Sequence, residues 1–179
     1  MGGGQRPVSL REGRLGWGVA SASDPDVAAE YLGRAFQAQM SGDFAAAIDL
    51  YQRSIASYPT AEAHTFLGWT YSFQGRLEEA IDECHRAIAV DPTFGNPYND
   101  IGAYLIELGR PDEAIPWLER AIRAPRYESP HFPRLNLARV YLAKEMYSRA
   151  LEEFQAVVEL QPDHLPAQRA IAALRRKLN

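Results

Sequence analysis

Cys84 with His85, the carboxylate pairs Glu78, Glu79 and Glu152, Glu153, and the histidines His64, His131 and His164 are the side chains suited to catalysis or metal binding. A thiol and an imidazole act as nucleophile and base only when they share a proton within hydrogen-bond reach. Adjacent residues on a helix diverge by about 100°, so Cys84 and His85 point apart. Consecutive glutamates diverge in the same way and read as solvated helix faces. His131 and His164 fall at loop and helix boundaries in separate turns, with no Asp or Glu spaced to complete a metal site. His64 is expected to pack, its nitrogens reaching a helix end. The sequence carries no phosphate loop, dinucleotide fingerprint or nucleophile elbow. The expectation is a protein that is not an enzyme, with no catalytic residue, no metal and no cofactor.

The elements that carry these residues recur. FLGWTYSFQGRLEEA at 66–80 returns as DIGAYLIELGRPDEA at 100–114, which sets Gly68 over Gly102, Gly75 over Gly109, Arg76 over Arg110 and Ala80 over Ala114. Aligned on Ala47, Ala80, Ala114 and Ala150, the chain shows four copies of a helical hairpin. The first helices are expected at about 27–41, 61–74, 96–108 and 131–144, and the second at about 43–59, 76–92, 111–126 and 146–162, from apolar residues spaced i, i+3/i+4 and i+7. Gly42, Gly75 and Gly109 suit the tight turn inside a hairpin, and Pro59, Pro92 and Pro162 stop its second helix.

Composition narrows the partners. The 179 residues are 46% hydrophobic and 23% charged, a globular balance. The formal charge of −4 provides no basic field for phosphates, so no nucleic acid is expected. Cys84, the single cysteine, fits a reducing compartment. No apolar run approaches the roughly 18 residues needed to span a bilayer, and Arg11, Glu12 and Arg14 interrupt any secretory core. No integral membrane segment and a cytoplasmic location are expected.

The pattern of the units resembles the tetratricopeptide repeat family. Leu67, Gly68, Tyr71, Gly75, Ala80, Ala87 and Pro92 carry the resemblance in the second unit. Tyr98, Ile101, Gly102, Gly109, Ala114, Leu118 and Ala121 carry it in the third. The first unit matches at Tyr31, Ala35, Gly42, Ala47, Tyr51 and Pro59, with Arg34 where Leu is usual. The fourth matches at Leu137, Ala138, Tyr141, Ala150, Phe154 and Pro162, with Glu145 in place of the turn glycine and about two extra residues before it near Ser129 and Pro130. The resemblance implies an all-α, right-handed superhelical solenoid of four helix-turn-helix units plus a C-terminal capping helix. The divisions are a flexible tail over 1–25, repeats over 26–164 (about 28–60, 61–94, 95–128 and 131–164) and a cap over 165–179. In the cap, Ala167, Ala170, Ile171, Leu174 and Leu178 form the apolar stripe and Lys177 faces water. Cys84 falls at a packing position.

The resemblance also implies that one stripe of each first helix lines a concave face. Leu32 with Phe36 and Trp69 with Phe73 are i,i+4 pairs, so each forms a continuous ridge. The expected groove comprises the anchors Leu32, Phe36, Met40, Trp69 and Phe73, the polar orienters Asn99, Asn136 and Arg139, and Ile106, Leu135 and Leu142 alongside them. Its expected occupant is a peptide or amphipathic helix of another protein, which makes the chain a scaffold or adaptor. A second copy of the chain, or the tail residues Leu10, Leu15, Trp17 and Val19, are the alternative occupants. The clamp for C-terminal carboxylates found in the family is disfavoured, because Leu32, Phe36, Phe66, Asn96 and Asp100 fill its positions in units one to three without a positive charge.

Overall fold

The computed structural model describes residues 23–178, and among them nine α-helices account for nearly all of the chain. They are α1 Pro25–Met40, α2 Phe44–Ser57, α3 Ala61–Phe73, α4 Leu77–Val90, α5 Asn96–Glu107, α6 Pro111–Arg123, α7 His131–Ala143, α8 Tyr147–Leu160 and α9 Leu165–Leu178. The expected tail falls almost wholly outside the described residues. Asp24, Asp43 and Thr60 cap α1, α2 and α3 by accepting hydrogen bonds from N–H groups of the first turn. The second helices each pack on their first, α1 with α2 through α7 with α8, and each hairpin packs on the next. The result is an all-α helical-repeat solenoid.

Small residues determine how closely the helices approach. A Cβ on Gly102 of α5 would stand 2.4 Å from Leu118 Cδ2 of α6, and one on Gly68 of α3 would stand 2.9 Å from the Ala80 carbonyl of α4. Ala35, Ala47, Ala80, Ala114, Ala138 and Ala150 are fully buried beside them, and Tyr51, Leu67, Ile101, Leu118 and Leu137 fill the space that remains. Cys84 belongs to this core, where burial pushes its thiol pKa well up. His85 instead sets its ring edge-on to Trp117, with centroids 5.2 Å apart.

Three local expectations are corrected. Helix α6 ends at Arg123 instead of about Arg126, because Ala124 precedes Pro125 and adopts the extended conformation (φ −66°, ψ 129°) that a following proline enforces. His64 reaches no helix end: its Nδ1 lies 2.7 Å from Glu83 Oε2 on α4, inside the core. At the cap, Ala167 and Leu174 are buried but Leu178 is exposed; Lys177 faces water as expected, and from there its Nζ donates to the Tyr147 hydroxyl at 2.8 Å and lies 3.9 Å from the centre of that ring.

The hairpin turns share one backbone requirement. Gly42, Gly75 and Gly109 have φ of 82°, 73° and 74°, and Glu145 supplies the same left-handed turn in the fourth hairpin at φ 57°. A side chain there costs about 1 kcal/mol relative to glycine. Glu145→Gly is therefore expected to raise the thermal midpoint by about 2 to 4 °C, read by circular dichroism. An unchanged or lower midpoint would mean that the Glu145 side chain contributes more than its backbone strain removes.

Candidate partner-binding groove

The first helices α1, α3, α5 and α7 lie side by side, and the face they share carries large apolar side chains open to water. Phe36 and Trp69 are each 41% exposed, Phe73 54% and Met40 68%. Their rings form a chain. Phe66 lies 5.8 Å from Phe36 and 6.4 Å from Trp69, Trp69 lies 5.6 Å from Phe73, and Phe73 stacks on Phe44 of α2 at 5.5 Å. Aromatic pairs at these separations hold one another in place, so the ridge is ordered before anything binds. Leu32, Ile106, Leu135 and Leu142 lie differently: each is half-buried and packs on the core, leaving only an edge to the groove.

The polar residues of the groove form a relay. Arg139 Nη1 approaches Asn136 Oδ1 at 3.5 Å, Asn136 Nδ2 donates to Asn99 Oδ1 at 3.1 Å, and Asn99 Nδ2 donates to Asp100 Oδ1 at 3.3 Å. The relay crosses from α7 to α5 and ends on a carboxylate that lines a cavity of about 310 Å³. Thr65, Phe66 and Trp69 of α3, Asn96 and Asn99 of α5, Tyr127 and Ser129 of the α6–α7 connection, and Phe132 of α7 complete its wall. Only an edge of Asp100 reaches water, and burial raises its carboxyl pKa from 3.8 to about 7 against the weaker opposing effect of the Asn99 amide. The titratable groups coupled to it are Cys84, Tyr104 and Tyr127, all pushed upward chiefly by burial and all neutral at pH 7.

A second cavity of about 420 Å³ adjoins the first and shares Phe66, Asn96, Tyr127 and Ser129 with it. Arg126 is its centre. The guanidinium pairs with Glu62 of α3 at 2.7 Å and with Asp91 after α4 at 2.9 Å, and it lies over the Phe94 ring at 4.3 Å. The backbone of the α6–α7 connection is held at the same place, since Gly95 donates to the Arg126 carbonyl at 2.9 Å and Arg126 donates to the Thr93 carbonyl at 3.0 Å. Gly95 is necessary there, because a Cβ would stand 2.4 Å from Tyr127 Cβ.

The i,i+4 spacing singled out Trp69 with Phe73, the family resemblance implied Asn99, Asn136 and Arg139, and the structure joins the last three into one network. Phe66, Asp100, Tyr127, Ser129 and Phe132 escaped the list of groove residues. Phe66 and Asp100 occupied expected clamp positions. Tyr127 and Ser129 belong to the lengthened connection, where no period applies; its extra length was the available signal.

Hairpins of two helices stacked on their neighbours, with an exposed face along the first helices, define a helical-repeat interaction solenoid. Family models described as tetratricopeptide repeat match residues 38–93 and 105–176, and the chain belongs to that family. It is 32% identical over 103 residues to the small glutamine-rich tetratricopeptide repeat-containing protein 2 of Mycosarcoma maydis, a match that covers 56% of this chain and 29% of the relative. The chain thus spans less than a third of that relative's length. Among solved structures it is similar to pilF of Pseudomonas aeruginosa (TM-score 0.77, 22% identity, 85% of this chain and 69% of that one). It is also similar to YrrB, described as a TPR protein with an unusual peptide-binding site (TM-score 0.65, 23% identity, 84% of this chain and 77% of that one). At these identities the structural likeness establishes the fold. Among the described residues no helix is long and apolar enough to cross a membrane, and no three His, Cys, Asp or Glu side chains gather where a metal ion could sit.

The raised pKa of Asp100 has a signed consequence for stability. The folded state holds the proton more tightly than the unfolded state, so stability is greatest below pH 4 as far as this group is concerned and falls as pH rises from about 4 to about 7. Asp100→Asn removes that dependence. The variant should match the wild type near pH 4 and melt on the order of 5 °C higher at pH 8. Equal midpoints at both pH values would mean that the carboxylate is well solvated.

Proposed function

We propose that this chain is a non-catalytic protein-interaction scaffold whose exposed aromatic face receives a peptide or amphipathic helix of a partner protein. The observation that carries this reading is the exposure of Phe36, Met40, Trp69 and Phe73 along one continuous face. A soluble protein rarely leaves a contiguous apolar patch of this kind uncovered. Burying each side chain would contribute about 2 kcal/mol, and after the cost of association the sum suits a dissociation constant of about micromolar order. YrrB, a protein of the same fold, is described as having a peptide-binding site, which supports peptide binding as a use of this fold. The groove residues offered are Leu32, Phe36, Met40, Trp69, Phe73, Asn99, Ile106, Leu135, Asn136, Arg139 and Leu142. Capture of C-terminal carboxylates by the family's clamp does not fit, because Asp100 occupies one of its positions and would repel an anion.

The chemistry-bearing residues argue against turnover. Cys84 is buried with its thiol protonated, His85 packs on Trp117, and His64 is engaged with Glu83. A reducing, cytoplasmic setting agrees with the free cysteine.

The test is selection of helical peptides from a displayed library against the full chain. Trp69→Ala should weaken a selected peptide by more than about fivefold, or 1 kcal/mol, with helicity unchanged by circular dichroism. Peptides that bind equally well without Trp69 would sink the reading, and so would a variant that unfolds, since Trp69 would then be core. Sedimentation of the wild type across concentrations checks the other occupant of such a face: reversible self-association abolished by Trp69→Ala would assign the groove to a second copy.

A further inference from the structure

We propose that the cavity walled by Trp69, Phe132 and Tyr127 and floored by Asp100 receives one arginine side chain from the polypeptide seated in the groove. The inference rests on the scaffold reading and adds to it the chemistry of the anchor. Three features of the cavity converge on a planar cation. Phe66, Trp69, Tyr127 and Phe132 are among its nine lining residues, and the face of an aromatic ring attracts a guanidinium. Its floor is a carboxylate that accepts one hydrogen bond, a long one of 3.3 Å from Asn99, leaving Oδ2 without a side-chain donor among the described residues. Its volume of about 310 Å³ leaves room for a side chain to enter.

Among the described residues no cation pairs with this carboxylate. Arg139 ends on Asn136, two amides away from Asp100. Arg126 opens on the adjoining cavity and is committed to Glu62 and Asp91. A desolvated carboxylate without a counter-charge is costly to the fold alone and strongly favourable to a ligand that supplies the charge. Burial holds Asp100 near the midpoint of its titration at neutral pH, in agreement with a group that awaits a partner. Arginine fits better than lysine, because a guanidinium can stack on a ring and still present paired N–H groups to a carboxylate.

The test uses three small probes on the isotope-labelled full chain: N-acetyl-arginine N-methylamide, its citrulline counterpart and its leucine counterpart. Citrulline has nearly the shape of arginine but no charge. Backbone amide shifts of Asn99 and Asp100 should saturate with the arginine probe at a concentration at least fivefold lower than with citrulline, and Asp100→Asn should abolish that difference. Equal responses to arginine and citrulline, or an arginine response that survives in Asp100→Asn, would overturn the proposal. The leucine probe separates this failure from failure of the scaffold reading. Shifts at Trp69 and Phe73 with leucine but no charge preference leave the groove standing without its arginine anchor, whereas silence from all three probes, in the wild type and in the full chain with Arg6, Arg11 and Arg14 replaced by Gln, removes both. If arginine binds only when Arg6, Arg11 and Arg14 are all replaced by Gln in the full chain, the chemistry holds and the occupant is the chain's own N-terminal segment.

Discussion

The approach of two helices at Gly102 and Leu118, and its counterpart at Gly68 and Ala80, governs the rest of this molecule. Where a helix presents only hydrogen, its partner's leucine or backbone can enter, and the pair locks at one separation and one rotation. That rotation decides which stripe of each first helix turns inward and which is left outside. Trp69 follows Gly68 directly, so the packing that buries one turns the other toward water. The exposed ridge follows from the packing of the core.

The groove divides chemically along its length. Its α1–α3 end is a run of rings without a charged group among them, suited to an apolar helix face. Toward α5 and α7 it becomes a line of amides that ends on a desolvated carboxylate. The two parts meet at Trp69, which belongs to the ridge and also walls the cavity. A ligand that places an apolar surface on one part and a single cation on the other would be read in register, with polar contacts fixing orientation and apolar area contributing most of the affinity.

The fold was legible because its rules are local. A period of about 34 residues, a glycine at three of the four hairpin turns and a small residue at each close contact are visible in the one-dimensional pattern. Glu145 shows the limit of reading by residue type: the turn it occupies is unchanged, because the hairpin imposes the left-handed conformation on a side chain that would not choose it. The site was only half legible. Periodicity places Trp69 and Phe73 on one face, but it says nothing of Tyr127 and Ser129, which reach the groove through a connection of irregular backbone. Nor does it reveal that Asp100 loses most of its water, a property of how α5 sits between its neighbours and not of the residue itself. The terminal misreading at Leu178 has the same origin, since an apolar stripe needs a surface to cover it and α9 is the last helix described.

A stack in which each hairpin touches chiefly its neighbours is mechanically a spring, bending where contacts between coils are fewest. The ion pairs of Arg126 add a tie at one of these contacts. One guanidinium joins α3 to the segment after α4 and to the connection ahead of α7, linking the second hairpin to the end of the third. The middle of the spring is clasped, and compliance is left to the coils on either side. A partner that flexes this solenoid would therefore change its curvature near α1–α2 and α8–α9, while the cavity beside the clasp keeps its shape under load.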